Sequence, residues 1–111
     1  MKAGGKSRVV LVTCGNMKEA RRIARQVVAR RLAACVNVMK SPVESYYTWN
    51  DKLETAREHL LLIKTTAQRI PELEREVRRL HSYEVPEFIS LRLDSGSAAY
   101  LTWLADAANV D

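Results

Sequence analysis

The sequence predicts an α+β domain in which four strands and two helices alternate as βαββαβ, followed by a short third helix. Three observations predict it. Short runs rich in β-branched and apolar residues, at residues 8–14, 59–63 and 87–93, read as buried strands bounded by turn residues. Residues 17–32 and the segment opening at Pro71 repeat apolar side chains at three- and four-residue steps, as amphipathic helices do. Asn50-Asp51 stands between two long strand-like segments as a two-residue hairpin turn.

Taken in order, residues 8–14 (RVVLVTC) end at Gly15-Asn16, and Asn16 is placed to cap the helix that follows. Ala20, Ile23, Ala24, Val27, Val28 and Leu32 form that helix's apolar stripe, and Lys18, Arg21, Arg22 and Arg25 hold its opposite face. A second strand is expected over residues 33–49 and a third over residues 52–66. Asn50 and Asp51 both tolerate the positive φ that a type I′ turn requires. With that turn as hinge, Thr48 faces Leu53, Tyr47 faces Glu54, and Glu44 faces Arg57 as an opposite-charge pair. Pro42 cannot donate to a ladder, so a bulge with a register shift, or an edge, is expected there. Pro71 suits the first turn of the second helix, whose buried stripe is Ile70, Leu73, Val77 and Leu80. Residues 87–93 form the fourth strand, 94–97 a turn, and 98–108 a terminal helix carrying Tyr100, Leu101, Trp103 and Leu104. A four-stranded antiparallel sheet with two helices on one face is the ferredoxin-like arrangement. Residues 1–7 are expected as a flexible lead-in and residues 8–111 as one domain.

The 111 residues, 47% hydrophobic and 28% charged, suit one globular core and argue against disorder. No stretch approaches the ~20 apolar residues that span a bilayer. The apolar run after the basic start is too short for a signal-peptide core, so a cytoplasmic protein without membrane partners is expected. Cys14 and Cys35 form neither a C-x-x-C pair nor a zinc-type spacing and read as buried thiols. The net charge of +5 comes from the lead-in and the first helix, while residues 33–111 are net acidic. The central strands carry no aromatic residues on which bases would stack, so the charge is a solvated helix face and no specific nucleic-acid partner is expected.

A 17-residue strand spans roughly 55 Å at ~3.3 Å per residue, against a radius of gyration of about 13 Å for a chain of this length. Half of the hairpin therefore overhangs the domain, and the overhang carries Tyr46, Tyr47 and Trp49. Another copy of the chain covering those rings is the economical solution, and folding back at Pro42 is the alternative.

Sequence motifs for catalysis are absent: there is no G-x-G-x-x-G, P-loop, G-x-S-x-G or H-E-x-x-H, and no nucleophile–base pair can be assembled, so no enzyme is expected. His59 reads as a strand histidine. His81 ends the second helix, where the macrodipole favours it, and is followed by Tyr83, Glu84 and Glu87. Imidazole and carboxylate at a loop suit Cu²⁺ or Zn²⁺ weakly, with further ligands supplied from elsewhere.

Six segments together carry a resemblance: Val12-Thr13-Cys14, Arg31-Leu32-Ala33-Ala34-Cys35-Val36-Asn37, Tyr47-x-Trp49, Ile63-Lys64-Thr65-Thr66, His81-x-Tyr83-Glu84-Val85-Pro86-Glu87 and Tyr100-Leu101-x-Trp103-Leu104. In order and at compatible spacing, from Val9 to Leu104, they resemble the CutA divalent-cation tolerance proteins. The resemblance implies a ferredoxin-like homotrimer similar to the PII signalling proteins, and metal tolerance through weak copper (Cu²⁺) binding. It implies His81, with Glu84 and Cys35 behind it, as metal ligands, and Tyr47, Trp49, Lys64, Tyr83 and Trp103 at an inter-subunit cleft or interface. The sequence departs from the family at Ser82, where proline is usual, and at Leu80, where some members carry a second histidine. Two other readings stay open: a PII-like regulatory trimer that binds a small anionic metabolite through Lys64 and nearby arginines, and a structural trimer that serves as an interaction platform.

Overall fold

The computed structural model describes residues 1–109. Its strands are Lys2–Ala3 (β1), Ser7–Cys14 (β2), Cys35–Val38 (β3), Val43–Trp49 (β4), Lys52–Thr66 (β5), Ile89–Arg92 (β6) and Ser95–Gly96 (β7). Its helices are Met17–Ala29 (α1), Ile70–Leu80 (α2) and Ala98–Ala107 (α3). The main sheet runs β3–β5–β2–β6, every pairing antiparallel, and β4 continues along β5 beyond β3.

The hairpin forms in the expected register: Thr48 faces Leu53, Tyr47 faces Glu54 and Glu44 faces Arg57. Asn50 and Asp51 take φ of 52° and 62°, the left-handed values the turn demands. The single strand expected over residues 33–49 is instead two. Val38 faces Leu61 and Val43 faces Glu58, so residues 39–42 stand opposite only residues 59–60. Pro42, without an N–H, sits in this bulge. His59 Nδ1 hydrogen-bonds the Met39 carbonyl at 3.0 Å across it. The 15-residue β5, at ~3.3 Å per residue, accounts for the molecule's 44 Å long axis.

Alternation along the strands sets the core. Val10, Val12 and Cys14 of β2 and Leu61 and Ile63 of β5 face α1 and α2, which supply Ala20, Ile23, Val27, Leu73, Val77 and Leu80. Each large side chain buried there contributes about 1.5–3 kcal/mol. Helix α1 stops at Ala29, short of the expected Leu32, because the chain must turn beneath it to enter β3. Arg31 takes φ 57°, its carbonyl accepts from Arg69 Nε at 3.0 Å, and the Leu32 carbonyl accepts from Thr65 Oγ1 at 2.7 Å.

The expected lead-in is tied down: Lys2 pairs with Gly96 and Ala3 with Ser95, so part of the expected turn at 94–97 is strand. Gly4 permits this approach, since a Cβ there would lie 1.7 Å from the Leu93 carbonyl oxygen. The fourth strand is shorter than residues 87–93, and the terminal helix ends at Ala107. On the sheet's other face Val9, Leu11, Leu60 and Leu62 are half-buried and Ile89 and Leu91 exposed. Helix α3 covers part of that face, packing Leu104 on Ala34.

Candidate functional site

Three element ends converge at one edge of the core. Strand β2 ends at Cys14, α1 begins after Asn16, and α2 ends at His81. The Asn16 side chain accepts from the Glu19 N–H at 2.8 Å, fixing the first turn of α1. Glu19 then turns toward α2, where its Oε1 accepts from the Ser82 N–H at 3.0 Å. The His81 side chain is fully buried. Its Nδ1 accepts from the Tyr83 N–H at 3.0 Å, so Nε2 carries the proton and donates to the Thr13 carbonyl at 2.7 Å.

Ligand atoms of Cys14, Glu19 and His81 lie within 4.8 Å of one another, and among the described residues this is the one such trio of His, Cys, Asp or Glu. Glu19 Oε2 stands 3.5 Å from His81 Nδ1 and is a buried oxygen without a hydrogen-bond partner. A buried carboxylate oxygen without a partner is costly, and a cation beside it offsets that cost. The Cys14 thiol is pushed up to about 12 by burial, then by the charges of Glu19 and Glu58. A metal ion binding there must displace its proton. The donor set of sulfur, nitrogen and oxygen fits a borderline ion such as Cu²⁺ or Zn²⁺ and fits Mg²⁺ or Ca²⁺ poorly.

Of the metal candidates read from the sequence, only His81 belongs to this trio. Cys35 pairs with Lys64, which pairs with Val9, four residues along β2 from Thr13 and so ~13 Å away. The Cys35 Sγ instead lies 3.7 Å from both Tyr100 Oη and Lys64 Nζ, and Lys64 also hydrogen-bonds Asn37. Trp103 stacks at a tilt on Tyr100, ring centres 5.5 Å apart. Glu84 lines a cleft of about 660 Å³ between the hairpin and the loop after α2. Ser45, Tyr47 and Trp49, alternate residues of β4, form one wall with Tyr46, and Tyr83, Glu84, Val85 and Glu87 form the other. Thr13 and Glu58 line it as well. Thus Tyr47, Trp49, Tyr83 and Glu84 gather at one cleft, while Lys64 and Trp103 gather with Cys35 and Tyr100 elsewhere.

Glu58, 7% exposed, accepts from Tyr83 Oη at 2.9 Å. Burial first, then that bond and the Glu58 charge, hold the Tyr83 hydroxyl well above the usual phenol range. The sequence reading missed Glu19, Cys14 and Glu58 as site residues. Glu19 did carry a signal, as the lone acid in a helix otherwise charged by Lys18, Arg21, Arg22 and Arg25.

The described architecture is that of an α+β protein with one antiparallel main sheet and three helices, with a sulfur–nitrogen–oxygen nest where β2, α1 and α2 end. The family model for the CutA1 divalent ion tolerance protein matches residues 8–107, and the chain belongs to that family. It is 42% identical over 98 residues to the divalent-cation tolerance protein CutA of Thermus thermophilus, a match covering 88% of this chain and 94% of that protein. It is 44% identical over 100 residues to mouse protein CutA, covering 90% of this chain and 56% of the mouse protein. The chain therefore spans little more than half the length of the animal relatives it matches. Among solved structures, CutA1 from Oryza sativa superposes with a TM-score of 0.91 at 36% identity, covering 99% of this chain and 100% of that one. The Thermus thermophilus protein gives 0.89 at 40% identity, covering 91% and 97%. No helix among the described residues is long and apolar enough to cross a membrane.

Proposed function

We propose that this chain is a non-enzymatic, cytoplasmic protein of metal-ion tolerance, that it assembles as a ferredoxin-like homotrimer, and that it binds Cu²⁺ weakly through Cys14, Glu19 and His81. The observation that carries the metal reading is the buried, partnerless Glu19 Oε2 beside a thiol and an imidazole nitrogen. A cation at that point supplies the missing partner, and His81 Nδ1 turns to it by releasing the Tyr83 N–H. The family's relation to divalent cations agrees with such a nest. Glu84 and Cys35 rank behind this set, since neither joins His81 within one chain.

The trimer reading is supported by surfaces that one chain leaves open: the unpaired edge of β6, the apolar Leu11, Leu60, Leu62 and Ile89, and the rings of Tyr46, Tyr47 and Trp49 on the overhanging hairpin. Two free cysteines suit a reducing compartment. An anion-binding, PII-like use of the cleft finds no support, because its lining holds no Lys or Arg and Lys64 is engaged with Cys35 and Asn37.

Calorimetric titration with Cu²⁺ tests the nest. Glu19→Gln keeps an acceptor for the Ser82 N–H while removing the charged ligand. It should weaken binding by at least about tenfold. Equal affinity for the two proteins would take Glu19, and the nest with it, out of the account.

A further inference from the structure

The cleft between the hairpin and the loop after α2 has a composition the metal reading does not use. Its walls carry the rings of Tyr47, Trp49 and Tyr83, its charged groups are Glu58, Glu84 and Glu87, and no lysine or arginine lines it. We propose that this cleft is a binding site for an organic cation, an alkylammonium or guanidinium group held by Glu58 and Glu84 against the faces of Tyr47 and Trp49.

Two features point there, the charge and the ring faces. Glu58 is more than nine-tenths buried, accepts a hydrogen bond from the Tyr83 hydroxyl, and takes part in none of the ion pairs of the described residues. A carboxylate buried without a counter-charge is destabilising, and a cation entering the cleft offsets that penalty. The negative charge reaches its neighbours, since Glu87 is raised above the usual carboxylate range by partial burial and then by Glu58. The aromatic faces are the second ingredient: a ring attracts a cation placed over it, and each such contact is worth roughly two- to thirtyfold in affinity. In one chain Tyr47 and Trp49 are both about half exposed, so their faces can take a cation, whether a free amine or a basic side chain of a second copy that covers the hairpin.

Size and spacing select the class of cation. The volume of about 660 Å³ suits a small organic molecule rather than a bare ion. The three carboxylates do not form a metal-sized group, because the trio at Cys14, Glu19 and His81 is the one set of ligand atoms that close together among the described residues. Spread carboxylates and flat rings match a cation with hydrocarbon around its charge. The inference does not rest on the metal reading, although the two places share Tyr83, whose N–H bonds His81 and whose ring lines the cleft.

Fluorescence of Trp49 tests it, read in a Trp103→Phe background, with agmatine and spermidine as probes and sodium chloride at matched ionic strength as control. A saturable response to the amines, absent with salt, is expected. Glu84→Gln on its exposed loop should weaken it about tenfold, a loss of one charge contact. Glu58→Gln should do the same, provided its circular dichroism matches the parent. A response linear in concentration and equal to that of salt, or equal affinity in parent and Glu84→Gln, overturns the proposal. Light scattering at saturation separates the two sources of such a cation. An unchanged mass identifies free amines as the ligand; a fall in mass identifies a Lys or Arg of a second copy, displaced by the probe. Either outcome keeps the cation chemistry.

Discussion

At the residue scale, two buried glutamates show opposite solutions to the same problem. Glu76, 3% exposed, is matched by charge: Arg79 Nε and Arg30 Nη1 each lie 2.8 Å from its Oε1, and Arg79 Nη2 lies 3.0 Å from its Oε2. The Arg79 bond first, with Arg30 and both charges, lowers its carboxyl from 4.5 to about 2 against the opposing effect of burial. A depressed folded-state value means stability that is present in full above about pH 4.5 and is lost as pH falls toward 2. Glu76→Gln should therefore flatten the acid limb of a denaturant-midpoint-versus-pH curve in that window. It should cost about 1–2 kcal/mol at pH 7 through the lost charge-assisted bonds, since the half-exposed arginines regain water. An acid limb unchanged by the substitution would remove Glu76 from that role. Glu19 has no such match, and its bare oxygen is the observation on which the proposed metal site rests. His81 stood out in the sequence as a candidate because it ends a helix and is followed by Tyr83, Glu84 and Glu87. Its partners were not: residues 14, 19 and 81 meet only through the packing of α1 and α2 on the sheet, and nothing local in the chain announces that.

At the element scale, the hairpin is the part the sequence specified best. Asn50-Asp51 tolerates two successive left-handed residues, and once the turn is set every cross-strand pair from Trp49–Lys52 outward follows. Asp51 at φ 62° is strained relative to glycine. Asp51→Gly should raise stability by about 0.5–1 kcal/mol, measured as a higher midpoint of thermal or urea unfolding. A lower midpoint would mean that Asp51 makes a contact worth more than the strain. The break between β3 and β4 was only half legible: Pro42 announces a disturbance, but the offset of residues 39–42 against 59–60 depends on two ladders with independent registers. The β1–β7 ladder was not legible at all. Lys2-Ala3 and Ser95-Gly96 are too short for any periodicity, and their pairing is decided by the close approach that Gly4 allows to Leu93.

At the scale of the whole molecule, one wall separates two sites of different chemistry. Thr13 offers its carbonyl to His81 on the core side and lines the aromatic, acidic cleft on the other. The tip of the hairpin, the edge of β6 and the half-covered sheet face all lie open in the single chain, so the proposed trimer would bury surfaces distinct from the nest itself. The chain's basic charge lies largely on the first helix and near the N-terminus, while the cleft is acidic, the opposite sign from the one the overall charge suggests.

The proposed divalent ion is held by sulfur, nitrogen and oxygen where β2, α1 and α2 end. X-ray absorption on the zinc-loaded protein tests it most directly, because Zn²⁺ takes the same donors and gives separable shells. One sulfur at about 2.3 Å is expected with nitrogen and oxygen at about 2.0–2.2 Å, and the sulfur shell should be lost in Cys14→Ala. A first shell of nitrogen and oxygen alone in the parent protein, or a sulfur shell that survives Cys14→Ala, would contradict it.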